Sequence, residues 1–219
     1  MLPPATPVTH HRASSLVDLS SSPQQPPPSL PVALIDLGGD VILTVGPEET
    51  AVRVKVSKAP LALVSKVFAT LLGPAFREGA DIAALKDIAL PDDDPKVMRT
   101  MLEILHMRFA VPKTALPGKE LLGLAIVADK YDCVRALQMS LESIFPKRVA
   151  THGSFEELGD LINASYILDH PHLFEQYTQD AVKRYSRPYK QFGQSDVTQQ
   201  VPEHLWCMLS YKAGNECLS

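Results

Sequence analysis

A chain of 219 residues with 45% hydrophobic content carries enough apolar mass for a packed core in one or two domains. Its formal charge of -4 gives no general attraction to phosphate backbones, and no Lys/Arg cluster offsets that balance, so direct nucleic-acid binding is not expected. Its longest apolar stretch, Leu121 to Ala128, is far below the roughly 20 residues of a membrane span, so no membrane insertion is expected either. The opening residues lack a charged region followed by an apolar one, so no secretory signal is expected. Cys133, Cys207 and Cys217 are odd in number, without disulfide or zinc spacing, which points to an intracellular compartment, cytoplasmic or nuclear.

Eight of the 19 prolines fall in the first 31 residues, beside Ser20-Ser21-Ser22 and Gln24-Gln25. That composition buries too little surface to offset the entropy of ordering, and residues 1–34 are expected to be a disordered leader. Asp40 to Val45 is rich in apolar β-formers. Val52, Val54 and Val56 then alternate with Arg53 and Lys55, the period that sends valines to one face and cations to water. The turn residues Gly46 to Thr50 between them predict an antiparallel hairpin.

Two short helices are predicted next, with Ser57 and Ser65 as N-caps and Val67, Phe68, Leu71 and Leu72 as one apolar stripe. Asp87 to Leu90 predicts a third strand. Asp94-Pro95 is suited to cap a helix along which Val97, Met98, Met101, Leu102, Leu105 and Phe109 keep helical spacing up to Pro112. Leu121 to Ala128 marks another helix. Val134 to Phe145 marks a further one, with Asp132 as its candidate cap. Ser154 and Glu157 form a capping-box pattern opening a second helical block, which Asp169-His170-Pro171 interrupts before a helix through Phe174, Tyr177 and Ala181. Gln191 to Gln200 is polar enough for a loop, and Val201 to Ser219 is at most helical.

Asp40 to Gly46, Lys58-Ala59-Pro60-Leu61, Ser65-Lys66-Val67-Phe68, Phe76-Arg77-Glu78-Gly79, Leu90 to Pro95 and Leu124 to Tyr131, in that order, resemble a BTB/POZ domain of the filamentous-fungal form. The match runs from about residue 38 to 146. It implies an α+β fold, a small three-stranded sheet capped by a helical cluster over residues 35–148, with a mostly helical extension over 149–219. Many members carry His before the Lys that ends the second strand, whereas this chain has Ser57. The family's charged dimer groove, carried over, keeps Asp40 and Lys58 without that imidazole. Residues 1–34 offer no alternating strand to exchange across a dimer.

The resemblance implies a non-enzymatic protein–protein interaction module with other proteins as partners and no cofactor. In its sharper form the chain is an adaptor to a cullin-type ubiquitin ligase, with Phe76, Arg77 and Glu78 as the partner-binding triplet: the aromatic fills a partner pocket and the carboxylate pairs at its rim. Phe76 as a core plug and Glu78 as a solvated charge is the alternative. A homo-oligomerising scaffold or transcription-associated regulator is the second functional reading. His170-Pro171-His172, with Asp169 and the cysteines, lacks a second ligand pair, so no metal site is assigned, and Asp92-Asp93-Asp94 is expected to be a turn and helix cap. No nucleophile elbow or phosphate-binding glycine loop is present in the sequence, and no catalytic residue is assigned. His106 is expected to pack half-buried, Cys133 to be a small buried hydrophobe, and Trp206 to anchor the last helix.

Overall fold

The computed structural model describes residues 31–73, 85–108, 110, 115–146, 154–184 and 202–212. Four strands and eight helices lie within them: β1 Val32–Leu34, β2 Val41–Val45, β3 Val52–Val56, α1 Lys58–Val64, α2 Lys66–Leu71, β4 Lys86–Leu90, α3 Pro95–Leu105, α4 Gly118–Lys130, α5 Val134–Ile144, α6 Phe155–Ile167, α7 Pro171–Arg184 and α8 Glu203–Lys212. The fold is mixed α+β.

β2 and β3 form the expected antiparallel hairpin, with Val41 opposite Val56 and Val45 opposite Val52. Gly46 opens its turn at φ 96°, a left-handed conformation that favours glycine, and a Cβ there would lie 2.7 Å from Pro95. β4 joins the other side of β2 in parallel, Leu43 opposite Ile88. The expected three-stranded sheet is corrected to four strands in the order β1-β3-β2-β4. The additional strand comes from a segment assigned above to the leader: Val32–Leu34 pairs in parallel with Arg53–Lys55. Three residues are too few for an alternation to show, so β1 is a strand only by virtue of the edge beside it.

Val41, Leu43, Val45, Val54 and Val56 point into the core, as the period of two requires. The opposite face keeps a polar network. Asp87 accepts from Thr44 Oγ1 at 2.6 Å and pairs with Arg53 at 2.8 Å, linking three strands. Exposed pairs of this kind contribute at most about 1 kcal/mol.

The helices cover the inner face with Leu61, Phe68, Met98, Met101, Leu102, Leu121 and Leu124, all fully buried. Caps follow the sequence at three places. Asp94 accepts from Val97 N–H at 2.8 Å with Pro95 in the first turn, Ser65 from Phe68 N–H at 2.9 Å, and Ser154 from Glu157 N–H at 3.1 Å. Elsewhere the expectation is corrected. α3 stops at Leu105, because Met107 takes a left-handed φ of 55°; Phe109 lies outside the described residues. The cap position of α5 is Cys133 rather than Asp132, which itself has φ 52°. Val67 leaves the α2 stripe and is 40% exposed.

α6 lies against α4, and the crossing is close because α4 starts on Gly118, where a Cβ would come within 2.8 Å of the Glu157 carbonyl oxygen. One hydrophobic core runs from Ile35 through Phe155, Tyr177 and Trp206 to Leu209, so α6, α7 and α8 share the core of the sheet and α1 to α5. Among the described residues no helix is long and apolar enough to cross a membrane.

Candidate protein-interaction surfaces

The chain leaves β3 at Val56 and enters α1 at Lys58 with no hydrogen-bonded turn to satisfy its first N–H groups. Ser57 holds the cap position but its side chain makes no cap bond. Asp40, beside the start of β2, supplies one instead: its Oδ1 accepts from the Lys58 backbone N–H at 2.8 Å. The Ser57 hydroxyl donates to Asp36 Oδ2, and Asp36 Oδ1 accepts from Gly38 N–H at 3.0 Å. The Ser57 hydroxyl, then the Gly38 amide, hold the Asp36 carboxyl below its ordinary range, with the Arg108 guanidinium adding positive charge nearby.

His106 fastens the same junction from the end of α3. Its Nδ1 lies 2.8 Å from the Leu102 carbonyl oxygen, which can only accept, so Nδ1 carries the proton. Nε2 faces the Ser57 backbone, 3.2 Å from both its nitrogen and its carbonyl oxygen. Lys55 Nζ donates to Leu37 O at 2.9 Å. The result is an exposed patch of both charge signs on a backbone held by side chains from three separate segments. Large apolar side chains are exposed on β1 and the two short helices: Leu34 of β1, Leu37 after it, Leu63 of α1 at 86% exposure, and Val67 of α2.

A second surface lies where α4 and α6 end, α7 begins and α8 crosses. It is an open groove of about 700 Å³ lined by Asp129, Tyr166, Asp169, His170, Phe174 and Leu205, among others. The Tyr166 and Phe174 rings face each other at 5.8 Å, tilted by 54°. His170 is placed by capping: Nδ1 accepts from Leu173 N–H at 3.3 Å, and Nε2 lies 3.1 Å from a Glu142 carboxylate oxygen. The His-Pro-His sequence is therefore a helix start.

The sequence matches no family model, and it matches no curated protein.

Asp40 and Lys58, predicted as a pair of groove charges, are brought together, but through the backbone N–H of Lys58 rather than its ammonium. Phe76, Arg77 and Glu78, and the loop expected over Gln191 to Gln200, lie outside the described residues. Sequence reasoning passed over Asp36, although Asp36-Leu37-Gly38 carries the signal of an Asx turn, a carboxylate two residues before a glycine N–H. The Tyr166–Phe174 pair was split between two helices and had no linear signal. His106 is half-buried and hydrogen-bonded, as expected. Cys133 is free and fully buried, and burial pushes its thiol up to about 11. Cys207, for which the sequence showed no disulfide spacing, is disulfide-bonded. Trp206 is buried in the core, where it seats α8. Among the described residues no group of three or more His, Cys, Asp or Glu could hold a metal ion.

Proposed function

We propose that this chain is a non-enzymatic protein–protein interaction module on a BTB/POZ-like frame. The observation that carries the reading is the exposure of four large apolar side chains, Leu34, Leu37, Leu63 and Val67, on β1, the turn after it, α1 and α2, of which that turn and α1 also carry the charged β3–α1 junction. Large apolar side chains beside locked polar groups are the composition of a protein contact, since isolated ones have no such framing. The order of hairpin, two short helices, a strand parallel to the first hairpin strand, and then three helices supports the family resemblance.

In the sharper form, the chain links a partner to a cullin-type ubiquitin ligase through Phe76, Arg77 and Glu78. Affinity capture from native extract with the full chain tests it: the wild type recovers a cullin and Phe76→Ala/Glu78→Lys does not. Equal recovery by both overturns the adaptor. A homo-oligomerising scaffold is the second reading, favoured by Leu63 because a symmetric contact needs one exposed apolar surface presented by each copy. Light scattering of the full chain at tens of micromolar checks it. A monomeric mass removes the scaffold, and a dimer split by Leu63→Glu supports it.

A further inference from the structure

We propose that the α6–α7 groove is a docking site for an arginine-bearing, otherwise apolar segment of a partner protein. This rests on the reading of the chain as an interaction module and names the chemistry of one of its partners. Among the described lining residues the formal charges are the carboxylates of Asp129 and Asp169 and none is a lysine or arginine; Asp129 is already engaged within the chain, so Asp169 is the carboxylate a ligand would meet. The groove lies at the C-terminal ends of α4 and α6, where helix dipoles add negative potential. The opposing positive end, that of α7, already has its Leu173 N–H engaged by His170.

The walls select among cations. Tyr166 and Phe174 form a tilted aromatic pair in a groove whose lining also includes Asp169, a setting in which a planar guanidinium stacks on a ring and pairs with a carboxylate. Ile167, Pro171 and Leu205 give the remaining surface an apolar character that suits aliphatic side chains of the same segment. Among the described lining residues no lysine or arginine complements an anionic ligand. Arginine is preferred to lysine because a compact ammonium is more strongly hydrated and does not stack.

Fluorescence anisotropy with the full chain and a labelled nonapeptide of alternating Arg and Leu tests the proposal, with the same peptide bearing neutral citrulline for each Arg as the reference. Asp169→Asn removes charge while asparagine tolerates the left-handed backbone at φ 51°. Tyr166→Ala trims a side chain that is already 37% exposed, so folding is retained. The expected result is at least tenfold tighter binding of the Arg peptide than of the citrulline peptide. Asp169→Asn and Tyr166→Ala should each lower that affinity about tenfold, and Leu63→Glu on α1 should leave it unchanged. Equal binding of the two peptides, no binding up to millimolar concentration, or insensitivity to both groove variants overturns the groove. If the chain then still captures a protein that Leu63→Glu loses, the interaction module stands and the groove alone has failed.

Discussion

Asp93 and Tyr131 come together across 38 residues in a 2.6 Å hydrogen bond, the phenol donating to a carboxylate that is itself buried. The other Asp93 oxygen accepts from Lys130 Nζ at 2.7 Å. The Tyr131 ring stacks on Phe68 of α2 at 4.6 Å, so one residue at the end of α4 ties the turn before α3 to the helix after the hairpin. Removing the phenol oxygen leaves a buried carboxylate with one partner. Tyr131→Phe should therefore lower unfolding free energy by about 1–3 kcal/mol, and a double-mutant cycle with Asp93→Asn should show clear coupling. Additive single effects in urea denaturation would show that the bond contributes nothing of its own.

The same tyrosine sets an alkaline limit. Burial first, and then the Asp93 hydrogen bond and charge, push the phenol above its ordinary range. The unfolded phenol loses its proton near pH 10 while the native one keeps it, so stability is fully present below that pH and falls above it. Tyr131→Phe should flatten this part of the stability–pH curve. A wild-type curve no steeper than the variant's would contradict the assignment.

Two glycines of α4 meet different neighbours, Gly118 the backbone of α6 and Gly123 a side chain of α3. At Gly118 an added Cβ meets a backbone oxygen at 2.8 Å, which cannot yield without moving a helix, whereas at Gly123 the nearest atom is a Val97 methyl at 3.1 Å. Gly118→Ala should cost about 1–3 kcal/mol. Gly123→Ala should be neutral or slightly stabilising, since alanine favours helix over glycine by about 1 kcal/mol. Thermal denaturation of the two variants side by side distinguishes them, and equal losses would contradict the close crossing.

Asp40 caps α1 from a distance in sequence. Asp40→Ala should destabilise by about 1 kcal/mol and speed hydrogen exchange at the Lys58 amide, while Asp40→Asn retains most of the effect because its oxygen still accepts. Unchanged exchange at Lys58 in Asp40→Ala would remove the cap.

Cys133 should resist alkylation. With its thiol pushed up to about 11 by burial, almost no thiolate exists at pH 8 in the folded state. Mass spectrometry after iodoacetamide treatment should find Cys133 unmodified in native protein and modified in denaturant. Fast native labelling would mean that α5 opens at its first turn.

Asp160 works against the fold at neutral pH. Burial raises its carboxyl above the ordinary range, Glu157 and Glu156 add to this, and Lys119 opposes it. A raised carboxyl gains stability as pH falls through its folded value towards the ordinary carboxylate range, so Asp160→Asn should raise the melting temperature at pH 7 by roughly 1–3 °C and lose that advantage at acid pH. Equal melting temperatures at pH 7 would argue that the charge is well solvated.

Residues close together in the chain announced their own structure. Val52 to Val56 displayed its buried and wet faces through alternation, and Asp94, Ser65 and Ser154 displayed helix starts through an oxygen three residues ahead of the N–H it serves. These signals are local: a two-residue period and a three-residue bond need no knowledge of the rest of the molecule. What the rest of the molecule decided is which groups far apart in sequence meet. β1 became a strand only because the edge of β3 was open to it, and Asp40 displaced the side chain of Ser57 as the cap of α1. His106 reached the Ser57 backbone across 49 residues, and Tyr166 met Phe174 only once α6 and α7 had folded against each other. Periodicity states that a face is buried or exposed, but it carries no address for the surface that face will touch; that address is set when the core closes.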